Sequence, residues 1–176
     1  MKTKRILFIL LIGFFSQFSI AQNIGISSNI IKNGNFDDGM TNWTLAQQKG
    51  AVATSSVTNI EGFTGNAVKI TIATLPENEW DLSLNQYIGI EDGKTYEVSF
   101  IAKADTKRDV KVLIQQLYPG EAVYFSQKTT LTQTPTLYKY TFKSTVNEPK
   151  VKFRINIGKN SSAVYFDNIE INEIKK

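Results

Sequence analysis

Trp80 stands in polar company: Glu77-Asn78-Glu79 precede it and Asp81 follows. A core tryptophan more often lies inside an apolar run, as Trp43 nearly does with Leu45 close by. Trp80 therefore reads as a surface ring, with a packing role as the competing reading, and Trp43 reads as a packing residue. An exposed ring is an apolar plate on which the C–H face of a pyranose can stack. Flanking amides, guanidinium and hydroxyls can then exchange hydrogen bonds with the sugar's equatorial hydroxyls. Tyr118, just before the Pro119-Gly120 turn, and Tyr124, beyond it, are further rings with polar neighbours. Gln115, Arg154 and Asn156 fall on the polar side of alternating runs, where they face either a ligand or plain solvent. Ser83 and Gln86 are lesser candidates of the same kind.

Composition removes most catalytic alternatives. The chain has no His and no Cys, so Ser-His-Asp triads, cysteine nucleophiles and His/Cys zinc sites are excluded. A small glycoside hydrolase would need two carboxylates about 5–5.5 Å or about 6.5–9.5 Å apart. Glu79, Asp81 and Glu121 are near enough to the candidate rings to be considered, but none sits in a recognisable catalytic motif.

The elements that must position these residues show a period of two. Tyr96, Val98 and Phe100 alternate with polar residues, as do Tyr138, Tyr140 and Phe142, and Val151, Phe153, Ile155 and Ile157, while Val110, Val112 and Ile114 alternate with Lys111, Leu113 and Gln115. Each run has one apolar face, as in antiparallel strands buried on one side. Turn residues divide them at Asp92-Gly93, Pro119-Gly120, Pro135, Asn147-Glu148-Pro149 and Gly158-Lys159-Asn160. Roughly ten strands at this spacing predict an all-β, two-sheet antiparallel β-sandwich of the jelly-roll kind. Short helical turns are expected near Asp37 to Thr41.

Residues 1–21 read as a secretory signal peptide. Lys2, Lys4 and Arg5 form a basic start, Ile6 to Phe15 an apolar stretch too short for a comfortable membrane span, and Ser19-Ile20-Ala21 a cleavage site. The expected mature domain covers residues 22–176, secreted or periplasmic, with no membrane contact after cleavage. The whole chain carries 20 Lys and Arg against 16 Asp and Glu. Without the leader's three basic residues the balance is 17 to 16, which gives no footprint for nucleic acid. No disulfide can support the exported fold, so packing, or a bound ion, must.

Six segments, in order, resemble the CBM4/9/22-like group of carbohydrate-binding modules. They are Asn33-Gly34-Asn35-Phe36-Asp37, Trp43-Thr44, Gly65-Asn66-Ala67-Val68-Lys69-Ile70, Trp80-Asp81-Leu82-Ser83-Leu84, the run from Gly93 to Ala104, and Tyr165-Phe166-Asp167-Asn168-Ile169. The resemblance implies a non-catalytic domain binding a neutral polysaccharide of the xylan or β-glucan type in a groove on the concave sheet. It implies two rings gripping a sugar, with Trp80 as one and Tyr118, or its competitor Tyr124, as the other. It also implies an N-terminal strand beside a C-terminal one, bringing Asp37 and Asp167 together, with Asn35, around a structural calcium. Hard cations take several oxygen ligands of this kind. This chain has Asp37 where the group usually has Glu. A glycoside hydrolase on a separate chain is the expected partner. A protein-interaction or adhesion sandwich is the alternative, ahead of a small hydrolase.

Overall fold

The computed structural model describes residues 29–175; the leader expected over residues 1–21 lies outside them. The alternating runs form strands with their apolar residues inward. In chain order these are β1 (Thr44–Gln47), β2 (Val52–Asn59), β3 (Asn66–Thr74), β4 (Leu82–Ile90) and β5 (Thr95–Ala104), then β6 (Arg108–Gln115), β7 (Val123–Leu131), β8 (Thr136–Lys143), β9 (Glu148–Asn156) and β10 (Val164–Glu173). They make two five-stranded antiparallel sheets, ordered β1-β4-β9-β6-β7 and β2-β3-β10-β5-β8. Sequence neighbours often lie in different sheets, as the expected jelly-roll sandwich requires.

The core fills the space between the sheets. Val112, Ile114, Val151, Phe153 and Ile155 face Val68, Ile70, Val98, Phe100 and Phe166, all fully buried or nearly so. Burying such a side chain contributes about 1.5–3 kcal/mol. Trp43 is part of this core, as its sequence context predicts. Its ring lies 5.4 Å from Phe36 and 6.2 Å from Phe153, and its Nε1 donates to the Asn33 carbonyl at 2.8 Å. Gly93 turns β4 into β5 at a positive φ of 75°, which only glycine adopts without strain.

Two local expectations are corrected. Asn33 to Asp37 is not a strand, whereas Asp37 to Thr41 does form the expected run of turns. Asn33 and Phe36 take positive φ, and successive i→i+3 bonds run from Phe36 to Trp43. The segment before them still lies along β10: Ile30 N donates to the Ile171 carbonyl and Ile169 N to the Gly34 carbonyl, both at 3.0 Å. A Cβ on Gly34 would sit 1.9 Å from the Ile169 carbonyl oxygen, so this contact needs a glycine. The second correction concerns Pro149, which is inside β9 rather than in a turn. It stands by Gly89 at a register shift between β4 and β9, where a missing donor is tolerated.

Candidate functional site

β4, β9 and β6 lie side by side, and their outward residues meet in three rows. Ser83, Asn156 and Lys111 form the first, Asn85, Arg154 and Leu113 the second, and Tyr87, Lys152 and Gln115 the third. Neighbouring strands are about 4.8 Å apart, so each row is short enough for one sugar unit to touch several members. A trough of about 400 Å³ lies over these rows, walled by Glu79 and Trp80 on one side and by Glu121 and Val123 on the other.

The loop between β3 and β4 holds Trp80 in place by its backbone. Asp81 is fully buried, and its Oδ2 accepts from the Asn78 backbone N and Nδ2, both at 2.9 Å. The Glu79 carbonyl accepts from Gly158 N at 3.1 Å, and the Asp81 carbonyl from Gln48 N at 2.8 Å. Arg154 Nη2 donates to the Trp80 carbonyl at 2.9 Å. The indole itself is left 49% exposed on the trough wall.

Arg154 also joins the floor together. Its Nη2 donates to Ser83 Oγ and its Nη1 to Gln115 Oε1, each at 3.3 Å. Burial holds the guanidinium below its ordinary pKa, while the charges of Glu121 and Asp81 act in the opposite direction. Three buried floor atoms have no partner within the protein: Arg154 Nε, Asn85 Oδ1 and Asn156 Oδ1. An unmet buried polar atom costs about 1–3 kcal/mol, and native structures contain few of them. All three lie in one patch beneath the trough floor.

The candidate residues divide accordingly. Trp80, Ser83, Gln115, Arg154 and Asn156 come together in the trough. Tyr118, 85% exposed, projects from the β6–β7 turn without lining it. Tyr124 stands away, packed on the core, with its Oη donating to Glu148 Oε1 at 3.0 Å. The irregularity pairing Gln115 with Val123 breaks the alternation that would have aimed Tyr124 outward. Gln86 faces inward, where its side chain bonds the backbone N–H and carbonyl of Lys32 at 2.7 and 2.9 Å. Asn85, Lys111 and Lys152 line the trough without having been singled out, and Tyr87 lies on the same face. The repeat of outward positions in β4 and β9 was the signal that could have found them.

At the other sheet, Asp167 is fully buried and its Oδ1 accepts from Asn168 N at 2.6 Å, while Oδ2 has no partner within the protein. Burial raises its carboxyl to about 6, the Asn168 hydrogen bond opposes this, and the nearby negative charge of Asp37 adds to it. Asn35 Nδ2 donates to Asp37 Oδ2 at 2.6 Å. Among the described residues no three acidic, His or Cys side chains cluster for a metal. Any cation here would therefore draw on carbonyl and amide oxygens as well. With an orphaned buried carboxylate oxygen beside a second acid, the donor set fits a hard oxygen-loving ion.

A family profile described as a carbohydrate binding domain matches residues 28–162. A structure described as "CBM4 structure and function" superimposes with a TM-score of 0.72 at 29% identity, over 81% of this chain and 99% of that one. The second N-terminal cellulose-binding domain of Cellulomonas fimi β-1,4-glucanase C has a TM-score of 0.65 at 18% identity, covering 84% and 95% of the two chains. The CBM22-1 xylan-binding domain of Paenibacillus barcinonensis Xyn10C has a TM-score of 0.59 at 15% identity, covering 81% and 93%. At these last two identities the likeness shows the fold alone. No curated protein matches by sequence. With its profile match running from before β1 to the threshold of β10, the chain belongs to the CBM4/9 family of carbohydrate-binding domains.

Proposed function

We propose that the trough binds a stretch of polysaccharide with a neutral backbone of the xylan or β-glucan type and does not cleave it. The observation that carries this reading is the half-exposed Trp80 standing beside a floor of polar side chains. The indole offers the stacking plate. The amides of Asn85, Gln115 and Asn156 and the guanidinium of Arg154 line the trough as hydrogen-bonding groups for the sugar's hydroxyls. Hydrolysis would need two free carboxylates across the scissile bond. Asp81 is sealed under the loop and Glu79 lies 3.9 Å from the Lys111 ammonium, which supports a binding rather than a cleaving role.

Calcium at Asp37 and Asp167, with Asn35 nearby, is proposed as a structural ion. It would neutralise two carboxylates and tie the N-terminal segment to β10. The domain is further proposed to be exported and to hold a glycoside hydrolase, on a separate chain, near its substrate. Affinity electrophoresis against soluble xylans and β-glucans tests the binding reading, with reducing-sugar release measured alongside. Retardation by at least one polysaccharide and no sugar release is expected. Migration unaffected by every member of the panel sinks the proposal.

A further inference from the structure

β9 is the middle strand of the trough sheet, yet it carries a line of cations on its outward face. Lys150, Lys152 and Arg154 occupy successive outward positions, about 6.6 Å apart along the strand. Lysines in sheets often guard a free edge against pairing. That explanation does not apply to Lys152 and Arg154, which have β4 on one side and β6 on the other; Lys150 lies just past the end of the β6 pairing. Elsewhere on the same face the lysines have acids: Lys128 reaches Asp109 at 2.7 Å, and Lys111 lies 3.9 Å from Glu79. Among the described residues none of the three β9 cations is within 4 Å of a carboxylate oxygen. The hydrogen bonds of Arg154 go to neutral acceptors and leave its Nε unspent. At the far end, Lys150 Nζ lies 4.7 Å above the ring of Tyr87, which is 56% exposed.

Three like charges in a row with no ion-pair partner repel one another, a cost only partly offset by the Arg154 hydrogen bonds and the contact of Lys150 with the Tyr87 ring. An anionic ligand laid along them removes that repulsion. We infer that the trough takes a polysaccharide bearing acidic substituents, carboxylate or sulfate, whose negative groups seat along β9 between Lys150, Lys152 and Arg154 while the backbone runs from Trp80 towards Tyr87. The inference rests on the trough reading above and narrows it from the type of backbone to the charge of its decorations. Lys150 and Lys152 contribute modest, salt-screened attraction at an exposed surface. Arg154, partly desolvated, contributes the stronger charge-assisted hydrogen bond.

The test uses pairs of polysaccharides that differ in charge: glucuronoxylan against its carboxyl-reduced form, and carboxymethylcellulose against hydroxyethylcellulose. Affinity electrophoresis and titration calorimetry are run at about 20 mM and about 500 mM NaCl, which span strong and weak screening. The acidic member is expected to bind at least about 10-fold more tightly at low salt, about 1.4 kcal/mol, with the gap closing at high salt. The double variant Lys150→Gln, Lys152→Gln is expected to bring the ratio of acidic to neutral affinity towards one. A wild-type ratio of one or below, with the neutral member still retained, overturns the inference and leaves the trough reading standing. So does a double variant with an unchanged ratio. Acidic polysaccharide retained equally by Trp80→Ala, or polyglutamate retained as strongly, reduces the row to a simple ion exchanger and also overturns it. Retention of no member of either pair removes the trough reading as well.

Discussion

On the outer face of the β2-β3-β10-β5-β8 sheet, polar groups find partners within the protein. Lys139 reaches Glu97 at 2.8 Å, and the Tyr165 hydroxyl donates to Asp105 at 2.7 Å. Lys103 and Lys69 lie 5.1 and 5.5 Å over the Tyr165 ring. On the outer face of the β1-β4-β9-β6-β7 sheet, two amide oxygens and a guanidinium nitrogen go unmet within the protein, and among the described residues no cation of β9 has a carboxylate oxygen within 4 Å. Both sheets have five strands and share one core. The difference shows where the fold has been left incomplete: a self-satisfied face offers little to a ligand, and a face with unmet donors and acceptors gives up stability in exchange for recognition.

The closed face has one exception, the orphaned Oδ2 of Asp167, and that exception gives the largest expected effect. If the proposed calcium binds, then at about 100 times its dissociation constant it is expected to add about 2.7 kcal/mol of stability, read as a higher melting temperature against chelator. Asp167→Asn is expected to lose this response; a variant that keeps it places the ion elsewhere. In chelator the sign reverses. With its carboxyl raised to about 6 from 3.8, native Asp167 binds a proton that the unfolded chain releases. Its contribution is fully present below about pH 3.8 and is lost as pH rises through about 6. Asparagine has no such dependence. Chelated Asp167→Asn should therefore gain on the wild type in melting temperature between about pH 4 and about pH 7.

On the open face, Trp80→Ala should weaken binding to any retained polysaccharide by about 2 kcal/mol or more, roughly 30-fold, with little change in melting temperature. Equal retardation of variant and wild type would move the binding surface off the trough. A smaller effect is expected for Asn156→Ala: about 1 kcal/mol of affinity by calorimetry, and no loss of thermal stability, because the removed oxygen had no partner within the protein. A marked drop in melting temperature would mean that the amide serves the fold instead. Smallest of all, Lys139→Gln on the closed face should change binding not at all and stability by less than about 0.5 kcal/mol, the usual worth of an exposed pair.

Much of the architecture could be read from local pattern. Val151, Phe153 and Ile155 point inward and Lys152 and Arg154 outward, as a period of two requires. The indole at residue 80 could be read too, because its polar neighbours made burial costly. Contacts between distant segments were hidden. Gln86 occupies an inward position only because the Lys32 backbone, 54 residues earlier, supplies both of its partners. Tyr124 was misplaced because a local register shift reverses which side a residue faces, and no composition rule announces one. The positive φ of Asn33 and Phe36 turned an expected strand into a chain of turns. The cation row of β9 was visible as letters, but its meaning depended on β9 being a central strand.

The hydrogen bond from Ile30 N to the Ile171 carbonyl puts the start and finish of the described chain side by side, on the sheet that faces away from Trp80. A spacer, dye or solid support fixed beside Ile30 or Ile171 would hold the domain by its back. The trough would then point out into solution, which makes both positions suitable handles for immobilised binding assays.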